Sequence, residues 1–512
     1  MLADMSARTS ATDPLQIAEI PAGGGVIGVT LCPGKKASSL GGASWDRDLD
    51  ADIAVIARWG AAAAVTLIEP DEFRRLAVLG LPAAMAAAGI EWHHLPITDV
   101  APPDERFESR WHYAWPALQA RLAAGGRVLV HCRGGLGRAG TVAACMLRGL
   151  GESAEAAIAS VRAVRPGAIE TAEQEAWVHR YVPASFAADG LRSRQLACLL
   201  GGAIGDAVGY RVEFKRWPEI ARMHGENGIT LAAAAGPLLV SDDTQMTLFT
   251  LEGVARASSE RDVIAQVREA YLDWFGTQRP RPGGRRPTGA LAGCDVMRER
   301  RAPGTTCLSA LETGGRGSPV NRINDSKGCG GVMRTAPIGF LPDACGDAAV
   351  FRLGAEAAAL THGHPDGFLP AGAMALLTRC ALRGDDWAAA IAGVQSLLAN
   401  WAESRSTSVA ILAAVTAAAA GSPSREQVQR LGEGWVGEEA LAIGLYAALA
   451  ASSFAGCIEL AANHDGDSDS TASIAGQLYG ARHGLAALPA EAVYRLDVLE
   501  PLLEAFGRPI FP

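Results

Sequence analysis

The chain has 512 residues, 49% of them hydrophobic, with 59 Gly, only 6% aromatic, and 46 basic against 55 acidic side chains for a formal charge of -9. Apolar content at this level excludes a disordered or collagen-like polymer and predicts roughly two to four domains. A mildly acidic balance without long blocks of like charge argues against general nucleic-acid or anionic-membrane binding and leaves room for a compact, phosphate-bearing ligand. The longest nearly unbroken apolar runs, such as Val409 to Ala420, fall short of the ~18 to 20 residues that cross a bilayer. The N-terminal segment MLADMSARTSATDP has no hydrophobic signal core, so a soluble, cytoplasmic chain is expected. The ten cysteines are scattered singly, without a Cys-x-x-Cys pair, which fits a reducing compartment.

In chain order, VIGVTL (26–31), AVTLIE (64–69), WHHLPI (92–97) and RVLVHC (127–132) read as short strands. Helical spacing fills the stretches between them, as in Asp48 to Arg58 and Trp111 to Ala123. This is an α/β pattern. From Gln195 onward, long Ala-rich segments dominate at 346–360, 370–383, 387–403, 406–420 and 437–452, and that half reads as all-α. The change falls within YVPASFAADGLRS (181–193), where Pro183 and Gly190 suit a connector. Two domains are therefore predicted, over 1–185 and 190–512.

The segment RVLVHCRGGLGRAGTVAACML (127–147) sets a β-run, a Gly-rich loop and an apolar helix in direct succession. Between Cys132 and Arg138 lie Arg133, Gly134, Gly135, Leu136 and Gly137. Such a loop curls so that backbone N–H groups and a helix N-terminus address one anion, binding a phosphoryl group and lowering a thiol pKa from ~8.5 toward roughly 3.5 to 7.5. Arg138 has the planar fork to grip two phosphate oxygens.

These residues resemble the signature of the cysteine-dependent protein tyrosine and dual-specificity phosphatases, in particular the branch of the cyclin-dependent-kinase-inhibitor-3 type. The resemblance extends over about 25–182 and includes WGAAAAVTLIE, HHLPITDVAPPD and RPGAIETAEQEAWV. It implies a central, mostly parallel sheet flanked by helices. It also implies Cys132 as nucleophile, a phosphate cradle over Arg133 to Arg138, and an upstream acid that protonates the leaving oxygen. Asp99 matches that acid and Asp104 is the alternative; Gln174 matches a water-positioning glutamine. His131 is expected to orient the loop rather than act as a base. Many relatives carry Ser or Thr after the signature Arg, where this chain has Ala139; either Thr141 substitutes or the second step is slower.

The α-rich half holds two acidic knots, SDDTQM (241–246) and NHDGDSDSTASIAGQLYGA (463–481). Ser241, Asp242, Asp243, Asp467, Asp469 and Ser470 are short oxygen donors whose crowding calls for a counter-charge, and oxygen-only ligation favours Mg²⁺, Mn²⁺ or Ca²⁺ over zinc. Together with GGAIGDAVGYRVEF (201–214), KGCGGVMRTAPIG (327–339) and THGHPDG (361–367), in this order, they resemble the ADP-ribosylglycohydrolase family over about 194–490. The resemblance implies an all-α domain with two Mg²⁺ ions, held by Ser241, Asp242 and Asp243 on one side and by Asp467, Asp469 and Ser470 on the other. It also implies Glu213 as a loop carboxylate that handles a proton, and His362 and His364 as site-lining residues. Asp206 reads either as a residue that supports the metal ligands from behind or as a helix-start residue, and the helix role is expected.

The combined expectation is a bifunctional hydrolase acting on a phosphorylated protein or small molecule and on an ADP-ribosylated substrate, with no cofactor in the first domain. A modified nucleic-acid end stays within that substrate class. The alternative is that the first domain only recognises phosphate and targets a single active ADP-ribosylglycohydrolase. The basic segment RPRPGGRRPTGA (279–290) reads as a solvated loop or as a lid.

Overall fold

The computed structural model describes residues 7–37, 44–181, 190–234, 236–280 and 285–511. Most of the predicted connector and the start of the N-terminal segment lie outside them. The chain divides into two compact units, 1–188 and 189–512.

The first unit is built on a five-stranded sheet in the order Ala18–Ala22, Gly25–Leu31, Arg127–Cys132, Ala61–Thr66, Glu91–His94. The last four are parallel and the first pairs antiparallel with the second at the edge. Arg127–Cys132 lies in the middle, with Val130 opposite Val29 on one side and Val65 on the other. Val128, Leu129 and Val130 are fully buried, as an apolar run in a doubly covered parallel sheet should be. The strand expected at 64–69 lies earlier, over Ala61–Thr66. Alanine favours helix intrinsically, but small side chains suit a strand packed on both faces, and burial overrides propensity. Leu49–Trp59 starts where Asp48 accepts the Ala51 N–H, and it ends at Gly60 in the left-handed conformation.

The second unit is helical. Its centre is the pairing of Leu191–Gly209 with Ser468–His483 through small residues. Gly201, Gly205 and Gly209 recur every four residues, so they share one face. A methyl group at Gly205 would land on the Ala472 carbonyl oxygen, and one at Gly209 on that of Ser468. Contact this close carries Asp206 and the 467–470 segment into the same interior. Gly205→Ala should therefore cost about 1 to 3 kcal/mol by overpacking, read as a lower urea midpoint of the helical unit; an unchanged midpoint would mean the helices part freely. Among the described residues, no helix is long and apolar enough to cross a membrane.

Candidate active sites

Cys132 ends the central strand and Gly137–Gly149 is the next helix, so the loop between them lies at the carboxyl end of the parallel strands, where open α/β sheets place ligands. Gly135 has φ +71° and a Cβ there would strike the Thr30–Leu31 backbone, so the turn requires glycine. That turn lets the Gly135 N–H donate to Cys132 Sγ at 3.2 Å. The loop carbonyls are taken up by cations: Lys35 Nζ donates to Arg133 O at 3.1 Å, and Arg165 donates to Gly135 O at 3.0 Å and Gly134 O at 3.2 Å. With its carbonyls occupied by positive groups, the loop turns its N–H groups toward the space beside Cys132, where an anionic ligand is favoured. Lys35 is itself buried, and desolvation pushes its pKa down to about 8.

Arg138 is buried and clamped by Glu72, with Nη1–Oε2 at 2.6 Å and Nη2–Oε1 at 3.2 Å, while Nη1 also donates to Ile97 O at 2.9 Å. Two carboxylate contacts fix the plane of the guanidinium. Asp99 reaches the same group, 2.9 Å from Arg138 Nη2, and lies 3.6 Å from Arg133 Nη1. Asp104 is employed elsewhere: it caps Glu105–Ala123 by accepting the Phe107 N–H and pairs with Arg106. His131 is fully buried, shares a 2.7 Å hydrogen bond with Thr66 Oγ1, and burial lowers its pKa to about 3, which makes it a neutral structural group.

Two expectations are corrected by these contacts. Gly137, expected in the cradle, sends its N–H to Glu170 Oε2 at 2.8 Å. The Thr141 hydroxyl donates to Gly137 O at 2.8 Å within its own helix, so it is committed there and does not stand in for the hydroxyl absent at Ala139. Gln174 caps Ala172–Arg180 together with Thr171 and donates to Ala101 O at 3.1 Å, beside Gly137. Lys35, Glu72 and Arg165 were not singled out from sequence. Their partners lie 98, 66 and 30 residues away, and only the Arg165-Pro166-Gly167 turn marked one of them.

In the helical unit, Glu213, Asp467 and Asp469 each offer an oxygen, all within 4.8 Å of one another. Glu213 thus joins the second acidic knot. From the first knot, Ser241 is the N-cap of Asp242–Arg256, Asp242 Oδ2 accepts the Gly304 N–H at 3.1 Å, and Asp243 Oδ2 is buried without a hydrogen-bond partner among the described residues. Ser470 Oγ lies 3.6 Å from Cys329 Sγ, and that thiol is 2.7 Å from Asp467 Oδ2. Burial foremost, and neighbouring carboxylates next, push the pKa of Glu213 and of Asp242 up to about 8 and raise Asp243 and Asp469 well above the usual range. Mutually repelling, oxygen-only donors around an unpartnered buried carboxylate oxygen fit hard divalent cations.

In the helical half one expectation is corrected: Asp206 does not start a helix. It lies inside Leu191–Gly209 and its carboxylate accepts the N–H groups of Ser241, at 2.9 Å, and of Thr244, at 3.0 Å. It caps the neighbouring helix and so positions Asp242 and Asp243. His362 is buried with its pKa lowered to about 3 and shares a 2.8 Å hydrogen bond with Thr361; His364 caps Pro365–Arg383. In the basic segment, residues 281–284 lie outside the described ones. Arg285 pairs with Glu269 at 2.7 Å, and Asp273 and Glu252 hold the backbone N–H groups of Thr288 to Leu291, so the described part is anchored.

Two family models match the chain: "ADP-ribosylglycohydrolase" over residues 187–509, and "Swiss Army Knife protein, DSP-PTPase phosphatase domain" over 42–178. Both are families of hydrolases. Cyclin-dependent kinase inhibitor 3 of Rattus norvegicus is 42% identical over 96 residues, 18% of this chain and 44% of the relative. The Mus musculus protein of that name is 30% identical over 175 residues, 33% of this chain and 79% of the relative. The chain thus spans less than half the length of the first of these. A solved "ADP-ribosylglycohydrolase-related protein complex" is 23% identical, covering 62% of this chain and 98% of that one with a TM-score of 0.44. The chain belongs to the ADP-ribosylglycohydrolase family and carries, ahead of that domain, a phosphatase domain similar to cyclin-dependent kinase inhibitor 3.

Proposed function

We propose that the protein is a bifunctional hydrolase, cleaving a phosphate monoester in its first domain (1–185) and an ADP-ribosyl linkage in its second (190–512). For the first reaction, the carrying observation is that Asp99 and the Gly135 N–H converge on Arg138 and Cys132. Cys132 Sγ attacks phosphorus, Arg138 and the loop N–H groups of Arg133 to Leu136 hold the phosphoryl oxygens, and Asp99 gives its proton to the leaving oxygen. Water then frees phosphate from the cysteinyl phosphate. Glu72 keeps the Arg138 fork in plane without touching substrate. The substrates are a phosphorylated protein or small molecule, and ten free cysteines support a reducing, cytoplasmic setting.

For the second reaction, the carrying observation is the Glu213, Asp467 and Asp469 cluster. Asp242, Asp243, Asp467 and Asp469, with Ser241 and Ser470, would hold two Mg²⁺ ions, which supply charge neutralisation and a polarised water when bound. Asp206 orients the first of these segments. Glu213, within reach of Asp467 and Asp469, is the loop carboxylate that passes a proton to the acceptor atom as the glycosidic bond breaks. Release of ADP-ribose from modified protein in the presence of Mg²⁺, alongside turnover of an aryl phosphate, tests both halves; neither product forming would end the reading.

The acid is tested separately. Asp99→Asn should lower kcat on the aryl phosphate by roughly 10² to 10⁴-fold, and the effect should shrink with a leaving group that needs no proton. Asp104→Ala should leave kcat near wild type while costing about 0.5 to 2 kcal/mol as a lost helix cap. The reverse pattern would transfer the acid role to Asp104.

A further inference from the structure

Lys35 is 6% exposed, and among the described residues no carboxylate pairs with its ammonium. A buried charge is costly unless a group of opposite sign meets it. The hydrogen bond of Nζ goes to Arg133 O at 3.1 Å, and the charge lies 4.3 Å from the centroid of the Trp45 ring. The backbone beneath it is fixed. Gly34 turns at φ +70°, where a Cβ would strike Leu49, and its N–H goes to Asp52 Oδ2 at 2.9 Å, while Lys35 O accepts the Arg47 N–H at 3.2 Å. The Asp52 carboxylate is itself taken by the Arg47 guanidinium, at 2.7 and 2.8 Å. A costly ammonium is thus held rigidly under the Cys132 loop and aimed at one of its carbonyls.

The carbonyl and the N–H of a trans peptide unit point in opposite directions. A cation on Arg133 O therefore turns the Gly134 N–H away from itself, and Arg165, on Gly134 O and Gly135 O, does the same for the N–H groups of Gly135 and Leu136. The Gly135 N–H does reach Cys132 Sγ. Packing cannot steady the Gly134 peptide, because a Cβ there would meet nothing within 4 Å. The Cys32 N–H shares Arg133 O, but at 3.4 Å. We propose that Lys35 is a positioning residue of the phosphatase site, holding the Arg133–Gly134 peptide so that its N–H faces the phosphoryl oxygens, with the phosphate dianion as the counter-charge for its ammonium. Lys35 acts through that peptide rather than on the reacting atoms.

The assignment rests on the proposed phosphate monoester hydrolysis, and binding measurements separate the two. Burial pushes the Lys35 pKa down to about 8. Of the other groups that act on it, Cys32 has its thiol pushed well up by burial, and Arg47 and Arg133 are guanidinium groups, which do not lose their proton in proteins. The last, Cys132, is removed as a titrating group in Cys132→Ser. The full-length Cys132→Ser protein is titrated calorimetrically with phenyl phosphate, an ester whose second ionisation near pH ~6 is already complete. Affinity should fall roughly five- to twentyfold from about pH 7.5 to about 9.5 as Lys35 loses its proton. Adding Lys35→Arg should abolish that fall, and adding Lys35→Met should weaken binding roughly ten- to hundredfold at about pH 7.5, the loss of one hydrogen bond from a charged group. Undiminished binding by the Lys35→Met protein overturns the assignment. So does a Lys35→Arg protein that keeps the alkaline fall, since a lysine that only supports the fold leaves that profile unchanged. A Cys132→Ser protein that binds no phenyl phosphate at any of these pH values overturns the phosphatase reading itself.

Discussion

Replacing Cys132 by serine is expected to reduce aryl phosphate hydrolysis by at least roughly 10³-fold while leaving phosphate affinity largely intact. Sulfur is by nature the far better nucleophile toward phosphorus, and the serine oxygen that replaces it is a poor one at neutral pH. The Gly135 N–H and the Arg138 fork survive the change, so orthovanadate or phosphate should still bind. This separates catalysis from recognition: equal turnover by wild type and Cys132→Ser would show that Cys132 is not a nucleophile, and the domain would then be the phosphate-recognition module. The second chemical step has its own signature. No hydroxyl stands at Ala139 and the Thr141 hydroxyl is spent on Gly137 O, so thiolate departure lacks a donor there. A burst of released phenol followed by a slower steady state is expected in stopped-flow traces, and Ala139→Ser should raise the steady rate.

What the sequence made legible follows from the range of the interactions involved. The Cys132 to Arg138 loop is local, so its spacing exposed it, whereas the two acidic knots gained meaning only from their order among the other motifs of the ADP-ribosylglycohydrolase resemblance. The regular helices were readable for the same reason: 346–360 and 437–452 were expected and Gly346–Ala359 and Gly437–Ala450 are found. The strand Ala61–Thr66 was shifted because its alanines carry no β-propensity and become a strand only by burial, and Ala18–Ala22 is a short edge strand with mixed burial. Lys35, Glu72 and Arg165 act through partners distant in the chain, Glu72 in a buried ion pair and the other two on loop carbonyls, and local spacing does not reveal such partners. Asp206 was misread because its role lies in capping a helix 35 residues on.

Without divalent cations, the helical unit is expected to lose stability as pH rises from about 4 to about 8. Burial and like charges raise the folded-state pKa of Asp206 to about 6 and of Glu213 and Asp242 to about 8, and they hold Asp243 and Asp469 well above the usual carboxylate range. Unfolded carboxyls titrate near 4, so between these values the native state holds protons that the unfolded chain has lost. The stability those protons contribute is complete below the unfolded pKa and disappears as pH rises through the folded one. A cation replaces the protons and acts by mass action on the native state alone, so Mg²⁺ should raise the thermal midpoint most at pH 8 and least at pH 5. Asp469→Asn removes one of the repelling charges and one donor together. The metal-free variant should therefore exceed metal-free wild type at pH 8, on the order of 1 kcal/mol or more for a shift of a unit or more. The same variant should lose the Mg²⁺-induced rise and release ADP-ribose at least roughly 10²-fold more slowly. Thermal scans of wild type and variant at pH 5, 6.5 and 8, with EDTA and with Mg²⁺, decide the matter. A metal-free midpoint that climbs toward pH 8, or a variant that keeps the full Mg²⁺ response, would remove the carboxylate cluster as a cation site.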